Sequence, residues 1–86
     1  MNSDQRTALI RLGILRTLAD CGSYLLPEPA LITSLELAAA PPPTRVECQA
    51  QMDWLDSNGY IAGVNPELGG PRKWKITDSG RALLGT

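Results

Sequence analysis

"TRVECQAQMDWLDSNG", residues 44–59, decides the fold. Thr44 and Glu47 stand at the spacing of a capping box. In that motif the Thr side chain accepts from the third helical amide and the Glu side chain reaches back to the cap. The pair predicts a helix that starts at this point. Gly59, after Asn58, supplies the signal that ends it, because glycine takes the positive φ that closes a helix. Within the helix, Cys48, Met52 and Leu55 fall inside about 60° of one another and form a core seam. Val46, Gln49, Ala50 and Asp53 lie opposite, on a mostly polar face that the core does not claim.

Downstream, "YIAGV" (60–64) and "RKWKIT" (72–77) read as two strands joined by the turn-rich "NPELGG" (65–70). Side chains alternate along a strand, so Trp74 and Ile76 point one way and Lys73, Lys75 and Thr77 the other. Thr77 can then cap a short last helix through about Leu84. Four of the eight cationic side chains, Arg72, Lys73, Lys75 and Arg81, fall in this stretch of a chain whose net charge is −1.

Upstream, Ser3 or Asp4 can cap a first helix running to about Asp20, with Gly22 just past its end. Its apolar residues Leu9, Ile10, Leu12, Ile14, Leu15 and Leu18 cover most of the circumference. A helix apolar on two sides needs two packing partners. The second is either another copy of the chain or the C-terminal segment. "SYLLPEP" (23–29) reads as a short extended piece, because Pro27 disfavours helical geometry at Leu26. "EPALITSLELAA" (28–39) reads as a second helix with Leu31 and Leu35 on one side. "AAAPPP" (38–43) ends it with a stiff connection.

Composition narrows the function classes. With 86 residues the chain makes one domain with a modest core. It contains no histidine, and its two cysteines, Cys21 and Cys48, have no metal-ligand spacing. They read as reduced, packed thiols. No phosphate-binding glycine loop or nucleophile elbow occurs, and no carboxylate pair is proposed by spacing. An enzyme, a cofactor and a metal are therefore not expected. No apolar run is long enough to cross a membrane, and the N-terminus lacks a secretory lead, so the cytoplasm is the expected compartment.

The order is helix, extended piece, helix, helix, strand, loop, strand, short helix. "MDWLDSNGYI" followed, after a glycine-rich turn, by "WKITDSGRALL" resembles the winged helix-turn-helix superfamily, through Leu55, Gly59, Ile61, Trp74, Ile76, Thr77 and Gly80. More narrowly, "GSYLLPEPALITSLEL" with "TRVECQAQMDWLDSNGYI" looks like small winged-helix-like proteins of Mu-like phages and prophages. The resemblance implies a mostly α fold with a small β-hairpin, a three-helix core plus wing, over residues 1–86. The helix-turn-helix would span about 28–58 and the wing about 60–77.

The superfamily binds double-stranded DNA through its third helix and wing. The resemblance therefore implies a sequence-specific transcriptional regulator, with Thr44, Arg45, Val46, Gln49 and Ala50 on the helix and Arg72, Lys73 and Lys75 on the wing. Gln can bond adenine in bidentate fashion, Arg can read guanine or a phosphate, and Ala can touch a thymine methyl. With about four or five phosphate-reaching cations per monomer, binding should be strongly salt-dependent, and a homodimer through the first helix is expected. Glu47, Asp53 and Asp56 make the third helix acidic as a unit. That favours the alternative, a protein-interaction module on the same fold without DNA binding. Under it, Lys73 and Lys75 keep an exposed strand edge soluble and unpaired. Trp54 and Trp74 are expected in the core or under the wing, and Arg81 on the helix surface.

Overall fold

The reciprocal cap forms as its spacing requires. Thr44 Oγ1 accepts from the Glu47 amide at 3.1 Å, and the Thr44 amide donates to Glu47 Oε1 at 3.1 Å. The helix that follows, α3, runs Arg45–Ser57, and Gly59 turns the chain out of it at φ 78°. The computed structural model describes residues 3–22, 24–66 and 68–85. Ahead of α3 lie α1 (Ser3–Asp20), β1 (Leu26–Pro27) and α2 (Glu28–Leu35); after it come β2 (Ile61–Val64), β3 (Lys73–Ile76) and α4 (Asp78–Leu83). Among the described residues the fold is thus mostly helical, with four helices and one small antiparallel sheet.

Three differences from the sequence reading have physical causes. Ser3 and Asp4 both sit inside α1, so the position that caps it falls outside the described residues, as do Ser23 and Glu67 of the two connecting segments. The second helix stops at Leu35 rather than near Ala39. The Ala38 amide bonds the Leu35 carbonyl at 2.8 Å, a tight i to i+3 closure that turns the chain toward the prolines. The expected hairpin is a three-stranded sheet in the order β1-β3-β2, with Leu26 opposite Trp74 and Pro27 opposite Lys73. Pro27 has no amide to give, and the next one along, of Glu28, donates to Arg72 O at 2.8 Å. Lys73 therefore stands on a strand paired on both sides, not on an edge, which corrects the edge-lysine reading for that residue.

One apolar cluster joins every layer. Ile10, Ile14, Leu15 and Leu18 of α1 meet Leu31 and Leu35 of α2, Cys48, Met52 and Leu55 of α3, Ile61 of β2, and Trp74 and Ile76 of β3. Each such aliphatic side chain contributes about 1.5–3 kcal/mol on full burial. The seam read from α3 is the seam that packs. Trp74 lies in the core as expected. Trp54 does not: it is 40% exposed, with the Arg11 guanidinium carbon 3.6 Å from its ring centroid and Tyr60 beside it. Arg81 is half-buried rather than a surface residue, and its Nη2 donates to Gly22 O at 3.2 Å, tying α4 to the end of α1. Both cysteines are free; Cys48 is buried, and that burial pushes its thiol up from the ordinary range.

The turn into α4 depends on a close approach. Thr77 Oγ1 donates to Gly59 O at 2.6 Å and accepts from the Gly80 amide at 3.2 Å. A Cβ on Gly80 would run into the Tyr60 carbonyl oxygen and the Ile76 side chain. Gly80→Ala should therefore lower stability by about 1–3 kcal/mol or more, because the backbone opposite cannot yield. In a domain of this size each kcal/mol moves Tm by about 4–8 °C. Thermal unfolding measures this, with Ser79→Ala, a change at an exposed neighbour, as the control that should leave Tm nearly unchanged.

Candidate nucleic-acid interface

The N-terminus of α3 is held from behind by Arg6. Its Nε and Nη2 reach the two Glu47 oxygens at 2.6 and 3.0 Å, and its Nη1 donates to Pro41 O at 2.7 Å. One guanidinium thus ties α1, the proline turn and α3. The forked pair suits guanidinium geometry, in which two parallel N–H groups meet two carboxylate oxygens. Glu47 is consequently engaged inside the molecule and does not add a free negative charge to the outer face of α3. Thr44 is used as the cap, so its oxygen already has a backbone donor.

Arg45, Val46, Ala50 and Asp53 are exposed on α3, and Val46 is 75% exposed. Gln49 is half-buried, because its Nε2 donates to Glu28 Oε2 at 3.3 Å. Arg72 folds back toward α3. Its guanidinium carbon lies 4.9 Å from the Trp74 ring centroid, and its Nη1 is 4.0 Å from Asp53 Oδ1. Gly63 makes room for this, since a Cβ there would press on Arg72 and on the Trp74 ring. An exposed ion pair at that distance is worth at most about 1 kcal/mol, so a competing phosphate can displace Asp53. Lys73 and Lys75 are exposed on the face of β3 opposite Trp74 and Ile76.

The structure therefore divides the sequence-derived residues. Gln49 meets Glu28 and Arg72 meets Asp53, while Lys73 and Lys75 stand on the outer face of the sheet. Glu28 is the residue that sequence reasoning missed. Its amide donates to Arg72 O, its Oε1 accepts from Trp74 Nε1 at 3.2 Å, and its Oε2 accepts from Gln49. A buried indole N–H requires an acceptor, but no local pattern names which one. Gln51 accepts from Arg11 Nε at 2.7 Å and holds that guanidinium over Trp54. Among the described residues no group of three or more His, Cys, Asp or Glu side chains could hold a metal ion. None of the described helices is long and apolar enough to cross a membrane.

The Arg6 fork sets a pH dependence. Hydrogen bonding from Arg6, and then from the Thr44 amide, holds the Glu47 carboxyl at about 2, down from 4.5. A carboxyl depressed on folding adds stability that is complete above its ordinary value and is lost as pH falls through the folded value. Wild-type stability should therefore decline between pH 4.5 and about 2. Glu47→Gln should be less stable at neutral pH and should flatten that part of the curve. The two proteins should converge near the acid end in urea unfolding followed across pH.

Compared with family models, with curated proteins and with solved structures, the chain gives no match, so the reading of this surface rests on its geometry and chemistry.

Proposed function

We propose that the chain is a winged helix-turn-helix domain that binds double-stranded DNA as a homodimer and regulates transcription, with α3 as the reading helix and the β2–β3 hairpin as the wing. One observation carries the reading. Glu47 and Asp53 of α3 each face an arginine, while three cations of the proposed surface are unpaired among the described residues. Glu47 is forked to Arg6, Asp53 faces Arg72, and Glu28 accepts from Trp74 and Gln49. Arg45, Lys73 and Lys75 have no ion-pair partner among the described residues. Exposed cations of this kind neutralise phosphates, the sequence-independent part of DNA affinity.

The proposed homodimer is supported by α1. Its C-terminal half is covered where Ala19 and Leu84 pack against the core cluster. Its N-terminal half, through Gln5, Ala8, Leu9 and Leu12, lines an open apolar depression of about 450 Å³. The C-terminal segment thus covers one end of α1, and the open apolar end is the surface proposed for a second copy. A dimer doubles the phosphate contacts of a sparsely basic monomer. Sedimentation should show a dimer at about 100 μM, well above the micromolar Kd of even a modest interface, at about −8 kcal/mol. Leu9→Glu should dissociate it, and a wild-type monomer at that concentration would overturn the dimer.

The DNA reading is tested with random-sequence duplex. Wild type should bind at about 50 mM salt, where non-specific electrostatic binding is favoured. Replacing Lys73 and Lys75 together by alanine should flatten the slope of log affinity against log salt by about 0.9 per lost contact, nearly 2 units per monomer and twice that in a dimer. Absence of any duplex binding by wild type rejects the proposal. In that outcome the face carrying exposed Val46 beside Asp53 becomes a docking surface for a protein.

A further inference from the structure

We infer that Glu28 is a positioning residue for base reading: it fixes the orientation of the Gln49 carboxamide and thereby decides which base edge α3 prefers. The inference rests on the DNA reading above and adds to it a residue from a different element.

The geometry begins with Trp74, whose side chain is wholly buried. An indole N–H only donates, and Glu28 Oε1 receives it at 3.2 Å. The Glu28 main chain is held as well, because its amide donates to Arg72 O at 2.8 Å. Glu28 is therefore anchored to Arg72, just ahead of β3, through its amide and to Trp74 of β3 through one carboxylate oxygen. Its second oxygen is left to face α3, where Gln49 Nε2 donates to it at 3.3 Å. The Gln49 amide has one stable orientation against a carboxylate. Turned over, it would set its own oxygen against Glu28, acceptor against acceptor. With one N–H spent on Glu28, Gln49 still offers one N–H and its oxygen to the outside. That is the donor and acceptor pair that meets adenine N7 and N6. An amide free to turn over would present the two groups in either order. One held by Glu28 presents them in a single order along the helix.

The substitution Glu28→Gln makes the mechanism testable, because it inverts the arrangement rather than deleting it. The buried indole still requires an oxygen. The introduced carboxamide must give it that oxygen and so turns its NH2 toward α3. Gln49 then faces an NH2 group and must present its own oxygen inward, which reverses the outward order of donor and acceptor. The substitution Glu28→Ala removes the constraint and leaves Gln49 free to turn.

The experiment selects preferred sites from a pool of duplexes with a randomised central segment, using wild type, Glu28→Gln, Glu28→Ala, Gln49→Ala and the double variants. Wild type should show an adenine preference at one position, about 5- to 150-fold over the other bases. Glu28→Gln should lose or change that preference at that position alone, and Glu28→Ala should relax it. Either change made on top of Gln49→Ala should have no further effect on base preference. Such non-additivity is what a residue acting through Gln49 requires and what a merely structural role does not produce. If the Glu28 and Gln49 effects on base preference are independent, or if Glu28→Gln leaves the preference intact, the inference is overturned while DNA binding stands. If wild type enriches no duplex at all, the DNA reading falls and takes the inference with it. Should the Glu28 variants fail to fold, wild type alone decides through nuclear Overhauser contacts in the free protein. The Trp74 indole proton and the Gln49 amide protons should show a mutual contact, since both donate to one carboxylate. Its absence overturns the inference.

Discussion

A tryptophan with no exposed surface imposes more on this fold than any other residue. Trp74 fills the space between the helices and the sheet, and its ring is too large for a domain of this size to bury without several elements closing around it. Its N–H then demands an acceptor inside the structure. Glu28 meets that demand from the start of α2, and the same residue extends the pairing of β1 with β3 through its backbone amide. Arg72 covers one part of the ring, and Gly63 lacks the Cβ that would collide with another. The short strand β1, the entry into α2, the β2–β3 hairpin and α3 thus meet around one side chain. The proposed reading face is built on that same junction.

Strong local signals were legible in the sequence where a single stretch of chain determines the outcome. The Thr44–Glu47 box, the seam of Cys48, Met52 and Leu55, the alternation about Trp74 and the Thr77 cap depend on residues a few positions apart, and all four are found. The pairing of Leu26 and Pro27 with β3 was not legible. A two-residue strand has no period, and proline argues against a strand interior. The end of α2 was misread for a related reason. Helix propensity continues through Leu37 and the alanines, but the chain must turn at Leu35 to bring α3 back across α1. Leu37, left 94% exposed, shows that packing and not propensity set the boundary.

The site was less legible than the fold, because its key contacts join residues far apart in sequence. Arg6 and Glu47 are 41 positions apart, and Glu28 and Trp74 are 46 apart. From sequence, Glu47 and Asp53 count simply as negative charges on α3. In the structure Glu47 is forked to Arg6, while Asp53 is exposed beside Arg72. A tally of charges along a helix cannot register that difference. Trp54 was misplaced for the same kind of reason. Its large apolar ring suggests burial, but Arg11, held by Gln51, covers one face of the ring and leaves it 40% exposed.

Carboxylates beside a proposed DNA surface have opposite effects on affinity and on selectivity. Glu28 and Asp53 both repel phosphates and so weaken binding to any duplex, a long-range penalty that salt screens. Their short-range effects differ. Asp53 holds Arg72 at 4.0 Å across exposed surface, an arrangement that a phosphate can replace at little cost. Glu28 is anchored at one oxygen by a buried donor and cannot leave without stranding the indole N–H, which makes its hold on Gln49 durable. Under the proposed function, one carboxylate would release its partner to a phosphate and the other would keep it in place. A domain with few free cations gains little from general phosphate attraction. Under the proposed function its discrimination between sites must come from side chains ordered before binding, and Gln49 is the one this fold orders.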